Sequence, residues 1–277
     1  MSTRFALHIL PVLASVLLLA CATTPPPPPP PPQDHAAAVD PRTLLAPSSP
    51  VTNADQLIVV TTGGWDSPAG QLHRYERHGA RWQEVGQGHA VTLGRNGSAW
   101  GLGLHPMPQP GPQKQEGDGR SPAGVFSLSS AFGYAPQGHT LMPYEAMDAN
   151  DFCIDVVDSP FYNRIIDARQ AGAAAVAGST EPMRLDLHHD GDVRYALGLV
   201  VAHNPQAIPG KGSCIFMHLW RQPDEATAGC TAMDESSMQS LFAWLDPRRS
   251  PVFLLLPESE YARLSTDWRL PPLVLLR

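Results

Sequence analysis

The sequence predicts a mainly β domain carrying one clear helix. Short apolar and β-branched runs recur between Gly-, Pro- and Asn-rich breaks, the pattern of strands and turns. A helical period is sustained in one place, downstream of Cys230. Once an N-terminal leader and a Pro-rich segment are set aside, residues 54–277 suit a single domain with a sizeable core.

The elements follow in order. Gln56 to Thr62 is a β-branched strand, turned by Gly63-Gly64. Residues 72–76 and 81–85 alternate polar and apolar around His78-Gly79-Ala80, a hairpin, and residues 89–93 form another strand. Residues 99–104 carry Gly101 and Gly103, which marks a strand that another group approaches closely. Residues 106–119 are a Pro/Gly/Gln-rich loop, and β character resumes at 124–128. Residues 197–202, 213–218 and 251–256 are continuous apolar runs, read as buried strands. The clear helix is capped by Asp234, places Met238, Leu241, Phe242 and Leu245 on one face, and is closed by Pro247. Cys230 is thereby expected in the turn before this helix, where the dipole favours a thiolate. A weaker helix is expected over residues 165–177.

The amino terminus reads as a targeting device. Arg4 precedes an apolar run ending at Ala20, a secretory signal too short for a membrane span. Leu18-Leu19-Ala20-Cys21 resembles a bacterial lipobox, which implies cleavage before Cys21 and lipidation of its new amino group. Ala22 follows rather than an inner-membrane-retaining aspartate, so the periplasmic face of the outer membrane is the expected address. Pro25 to Pro32 is an unbroken run of prolines. Such a run forms a polyproline II rod, here roughly 25 Å long at ~3.1 Å per residue. Residues 21–53 are read as a lipidated spacer holding a domain away from a membrane.

The net charge is −7, and the lysines are Lys114 and Lys211 alone, so no basic stripe exists to bind nucleic acid. With Cys21 assigned to lipid, Cys153, Cys214 and Cys230 remain in an oxidising compartment. Three is odd, so one thiol is left over if two pair. Cys153 and Cys214 lie in apolar contexts and either pair or stay buried and free. Cys230 sits among small polar residues in Thr227-Ala228-Gly229-Cys230-Thr231 and is the natural free thiol.

His218 ends a buried strand upstream of Cys230. An imidazole that deprotonates a thiol makes a nucleophile for acyl transfer. Backbone N–H groups at Cys230, Gly229 and Thr231 can stabilise the oxyanion. The segment from His218 to Cys230 resembles the active-site motif of the L,D-transpeptidase (YkuD-like) family, in which a histidine ends one strand and a Ser/Thr-His-Gly-Cys sequence follows after a loop. Gly117-Asp118-Gly119-Arg120-Ser121-Pro122-Ala123-Gly124-Val125-Phe126 resembles that family's Thr-Pro-x-Gly-x-Phe segment. The resemblance implies a mainly β sandwich and a cysteine enzyme, with Cys230 as nucleophile and His218 as proton carrier. It implies peptidoglycan stem peptides as partners and no cofactor. Ala228 stands where the family usually has histidine, and Ala232 where it usually has Asn or Arg. These departures leave hydrolysis on the same scaffold, or a non-catalytic wall-binding lipoprotein, as alternatives to transpeptidation.

Other polar residues are candidates for substrate contact. Arg120, in a charged Gly-rich loop with Lys114, offers a carboxylate clamp or a plain solvated loop. Asn204 follows His203 at a strand end, and Trp220 follows the base and can form a lid. His188-His189-Asp190 does not form a metal site if the histidines lie in a strand, because adjacent side chains there point to opposite faces.

Overall fold

The computed structural model describes residues 49–272. The expected signal, the lipidation at Cys21 and the proline rod lie outside the described residues. The strands are, in chain order, β1 (Gln56–Thr62), β2 (Ala69–His78), β3 (Arg81–Glu84), β4 (His89–Thr92), β5 (Ser98–Trp100), β6 (Ser121–Gly133), β7 (Tyr144–Ala146), β8 (Asp151–Cys153), β9 (Ile165–Asp167), β10 (Glu181–Pro182), β11 (Leu197–Val201), β12 (Phe216–Leu219), β13 (Thr231–Met233) and β14 (Val252–Pro257). The α-helices are α1 (Ala168–Ala171), α2 (Leu185–His188), α3 (Glu235–Trp244) and α4 (Glu258–Leu264).

The fold is mainly β, as the sequence predicts. Hydrogen-bonded neighbours run β1-β14-β6-β11-β12-β13-β4-β2, and β2 pairs back onto β1. The sheet therefore closes on itself. Two long strands make this possible. β6 pairs with β14 along Gly124 to Ser127 and with β11 from Leu128 to Gly133. β2 pairs with β1, β3 and β4 along different stretches. A separate three-stranded sheet, β10-β8-β9, carries part of the functional cavity.

Burial follows the sequence pattern. Every residue of β1 and β14 is buried, and the two strands pair in parallel, in keeping with the Leu57–Val60 run of β1 and the apolar run of β14. The apolar face of α3 joins the same core through Met238, Leu241, Phe242 and Leu245. Each such fully buried side chain stabilises by on the order of 2 kcal/mol. The Asp234 carboxylate accepts the Ser237 N–H at 2.9 Å and caps α3. The core also begins earlier than residue 54, since Val51 is fully buried and Ser49 Oγ donates to the Trp268 carbonyl.

The expected helix over 165–177 is mostly absent. That segment is β9, the single turn of α1 capped by Asp167, and a 3-10 turn. Gly172, at φ 90°, ends α1 after one turn. The run expected as a strand from 213 enters β12 only at Phe216, because Cys214 sits at φ 54°.

Candidate active site

Two parallel strands build the site. β12 and β13 pair Met217 with Thr231 and His218 with Ala232, which sets Cys230 beside Phe216. Side chains two residues apart on a strand share a face, so His218 and Cys230 project to the same side of the sheet. Both line a cavity of about 730 Å³ whose walls also include Glu181, Asp192, Arg194, Tyr195 and Thr227. The expected setting of Cys230 at a helix N-terminus is corrected, because β13 intervenes between Cys230 and α3. The helix dipole is therefore not what acts on this thiol.

Cys230 is free and buried. Its Sγ accepts the Phe216 N–H at 3.3 Å, and its S–H donates to the Cys214 carbonyl at 3.6 Å. Burial pushes the thiol pKa up to about 12, assisted by the negative charge of Glu181 and opposed by the Phe216 N–H. His218 is also buried, which pushes its pKa down to about 4 against the raising effect of the Leu219 carbonyl. His218 Nδ1 lies 2.7 Å from that carbonyl, an acceptor, so Nδ1 carries the proton. Nε2 is left with its lone pair. At rest the site thus holds a neutral thiol and a neutral imidazole with an unprotonated Nε2.

The imidazole is held by packing as well. Tyr195 meets the His218 ring edge-to-face with centroids 5.2 Å apart, and its hydroxyl donates to Glu181 Oε1. Cys153 and Cys214 form a disulfide, which ties β8, and with it the β10 partner strand of Glu181, to the residue whose carbonyl receives the Cys230 S–H. Asn163 Oδ1 accepts the Cys214 N–H at 2.9 Å and holds that residue's left-handed backbone.

The backbone around the thiol is fixed from two sides. The Cys230 carbonyl accepts from Thr227 Oγ1 at 2.7 Å and from Ser121 Oγ at 3.1 Å. The Gly229 N–H, an expected oxyanion donor, is instead bonded to Thr227 Oγ1 at 3.1 Å. Thr231 is drawn into the β13 ladder opposite Met217 and is 2% exposed, which removes it from the cavity face. The Cys230 N–H has no hydrogen-bond partner among the described residues.

Three expected substrate contacts lie elsewhere. Arg120 donates to the carbonyls of Trp65 and Ser98 and pairs with Asp66 at 2.7 Å, so its guanidinium braces a loop. Asn204 is fully buried, and its side chain closes the 204–212 loop through Ile208 and Gly212. Trp220 continues the ladder through its N–H to Met233 and does not line the cavity. Lys114 is buried against Asp118 and the Gln115 carbonyl. His203 accepts the Leu102 N–H and donates to the Lys211 carbonyl, which occupies both ring nitrogens and fixes a strand end. His188 closes the short helix α2 rather than lying in a strand.

Residues 65–254 match the family model of the L,D-transpeptidase catalytic domain, YkuD. The chain belongs to the L,D-transpeptidase catalytic-domain family. No curated protein and no solved structure matches it. The family domain contains the whole wall that carries Glu181, Tyr195, His218 and Cys230. β1 and α4 fall outside it, although β1 is the strand that closes the sheet. Glu181 and Tyr195 escaped notice in the sequence. They approach Cys230 only through the small sheet and the disulfide, and no local spacing marks them.

Proposed function

We propose that this chain is a peptidoglycan L,D-transpeptidase that works through a Cys230 acyl-enzyme. The observation that carries the proposal is the shared cavity face of Cys230 and a His218 whose tautomer leaves Nε2 free. Cys230 Sγ attacks the stem-peptide carbonyl between an L-centre and a D-centre. As the Sγ–C bond forms, His218 Nε2 takes the thiol proton, and Nδ1 keeps its bond to the Leu219 carbonyl. The imidazolium then protonates the departing D-amino acid, leaving a thioester. The Cys230 N–H, unpartnered and adjacent, is the donor for the oxyanion. An amine on a second stem attacks the thioester, and the proton it sheds returns through His218 to sulfur.

Because burial disfavours both the thiolate and the imidazolium, the proton moves with bond formation instead of beforehand. In this proposal the lipid on Cys21 and the proline rod place the domain at the outer membrane, facing the wall. The test is labelling by a carbapenem followed by intact-mass analysis. Wild type gains one adduct on Cys230, Cys230→Ala gains none, and His218→Ala is slowed by about a hundredfold or more. Equal labelling of wild type and His218→Ala would overturn the assignment. Muropeptide profiles of cells with and without the protein then separate new dimers from trimmed monomers.

A further inference from the structure

We propose that Glu181 receives the acyl acceptor, binding it as a primary ammonium and taking its proton, so that the acyl-enzyme passes to amines in preference to water. The inference rests on the transpeptidase proposal and assigns a residue of this chain to its second half-reaction.

Glu181 lies on the cavity wall with Cys230, but arrives from the small sheet and not from the strands that carry the nucleophile and base. Its Oε1 accepts the Tyr195 hydroxyl, while Oε2 has no partner among the described residues. The charges around it favour a cation. Arg194, a cationic group on the wall, is tied to Asp192 through Nε at 2.8 Å and through its terminal nitrogen at 2.7 Å. Its charge is thereby largely compensated; it still favours the Glu181 carboxylate from a distance, but no ion pair to Glu181 forms among the described residues. Asp155 adds negative potential beside it, and Asp190 contributes another carboxylate to the cavity wall. Burial holds the Glu181 carboxyl up at about 7, so at neutral pH it both loses and accepts a proton readily.

An alkyl amine reaches the site as an ammonium and attacks only when deprotonated. Glu181 Oε2 accepts that proton and becomes the neutral acid. The free amine forms a C–N bond to the thioester carbon, and the C–S bond breaks. The proton lost by the attacking nitrogen passes to His218 Nε2 and then to Sγ, which restores the thiol. Glu181 returns its proton to water. A water acceptor carries no charge for Glu181 to bind.

The test uses the mature full chain, an L,D-linked tetrapeptide donor and n-butylamine as acceptor. Glu181→Gln keeps an oxygen for the Tyr195 hydroxyl, so the support of His218 persists. The rate of Cys230 acylation should stay within about threefold of wild type, while the ratio of amide to hydrolysed product falls about a hundredfold. A second measurement needs no variant. Tetramethylammonium, a cation without a nucleophilic N–H, should lower the wild-type amide yield without slowing acylation. An unchanged product ratio in Glu181→Gln, or a loss confined to acylation, would overturn the role given to Glu181 and leave the transpeptidase proposal intact. Absence of any wild-type acyl-enzyme would bring down both. If the variant does not fold, failure of tetramethylammonium to compete overturns the inference by itself.

Discussion

In the proposed mechanism His218 works as an unprotonated base, and burial extends the pH range over which it stays so. Its pKa lies at about 4 instead of the ordinary 6.5, so the base form persists as pH falls through 6 and 5. The rate of Cys230 acylation should therefore hold nearly constant from pH 7 to pH 5 and decline only as pH approaches 4. A stopped-flow profile with a half-fall near 6.5 would contradict this. Alkylation by iodoacetamide, which needs a thiolate but no proton transfer to a leaving group, should rise steadily up to about pH 12. That His218 and Cys230 would face one cavity was legible from residue type and order alone. The oxyanion donors were not. Whether Gly229 N–H is free depends on the Thr227 hydroxyl two residues away, a rotamer choice that sequence does not record. Arg120 and Asn204 misled for a related reason. Isolated polar residues in loops look like ligand contacts until the carbonyls they satisfy are known.

At the scale of elements, the site depends on how β11, β12 and the small sheet are clamped. Gly198 of β11 pairs with His218, and a Cβ at that glycine would fall 2.2 Å from the Phe132 ring. Phe132 is fully buried against Tyr195 and Phe216 and has nowhere to move. Gly198→Ala should cost about 2 kcal/mol of stability, read by urea unfolding, and slow acylation by displacing Tyr195 from the imidazole. The Cys153–Cys214 bridge spans 61 residues. Its loss through the paired change to serine should destabilise by about 4 kcal/mol on the loop-entropy relation and raise the iodoacetamide reactivity of Cys230. Retained stability in that double variant would show that the hydrogen bonds of Asn163 suffice to hold Cys214. Strands with strong apolar or alternating patterns were legible, β1 to the residue. The two- and three-residue strands β7 to β10 and β13 were not, because segments that short carry no period. α3 was legible because cap, stripe and stop agree. The Ala-rich stretch near 173 promised a helix by propensity, and Gly172 overrode it.

Across the whole molecule, three buried histidines set the acid limit of stability. His105, His203 and His218 are each depressed by burial to about 4. Between pH 6.5 and 4 the unfolded chain binds protons that the folded chain refuses, so stability falls as pH falls through that window. The loss is on the order of 2–3 kcal/mol per histidine. Glu181 acts in the opposite sense. Its pKa is raised from 4.5 to about 7, so the folded chain holds a proton there that the unfolded chain releases, and stability grows as pH falls from 7 to 4.5. Three groups outweigh one, and the unfolding temperature should drop by several degrees or more from pH 7 to pH 4.5. A flat or rising profile would mean that the histidines are not sealed from water. The fold class was legible at this scale. The closure of the sheet was not, since it rests on a β1–β2 pairing that also carries β14 in parallel across almost the whole chain.

That closure bears on how a peptide is received. β12 already has β11 on one side and β13 on the other, and β13 has β4 beyond it. Neither offers a row of vacant amides and carbonyls, so a stem peptide cannot dock as an extra strand beside either of them. On the proposed function, recognition at this wall falls to side chains lining the hollow, a mode that suits branched substrates of mixed chirality better than a β-ladder does.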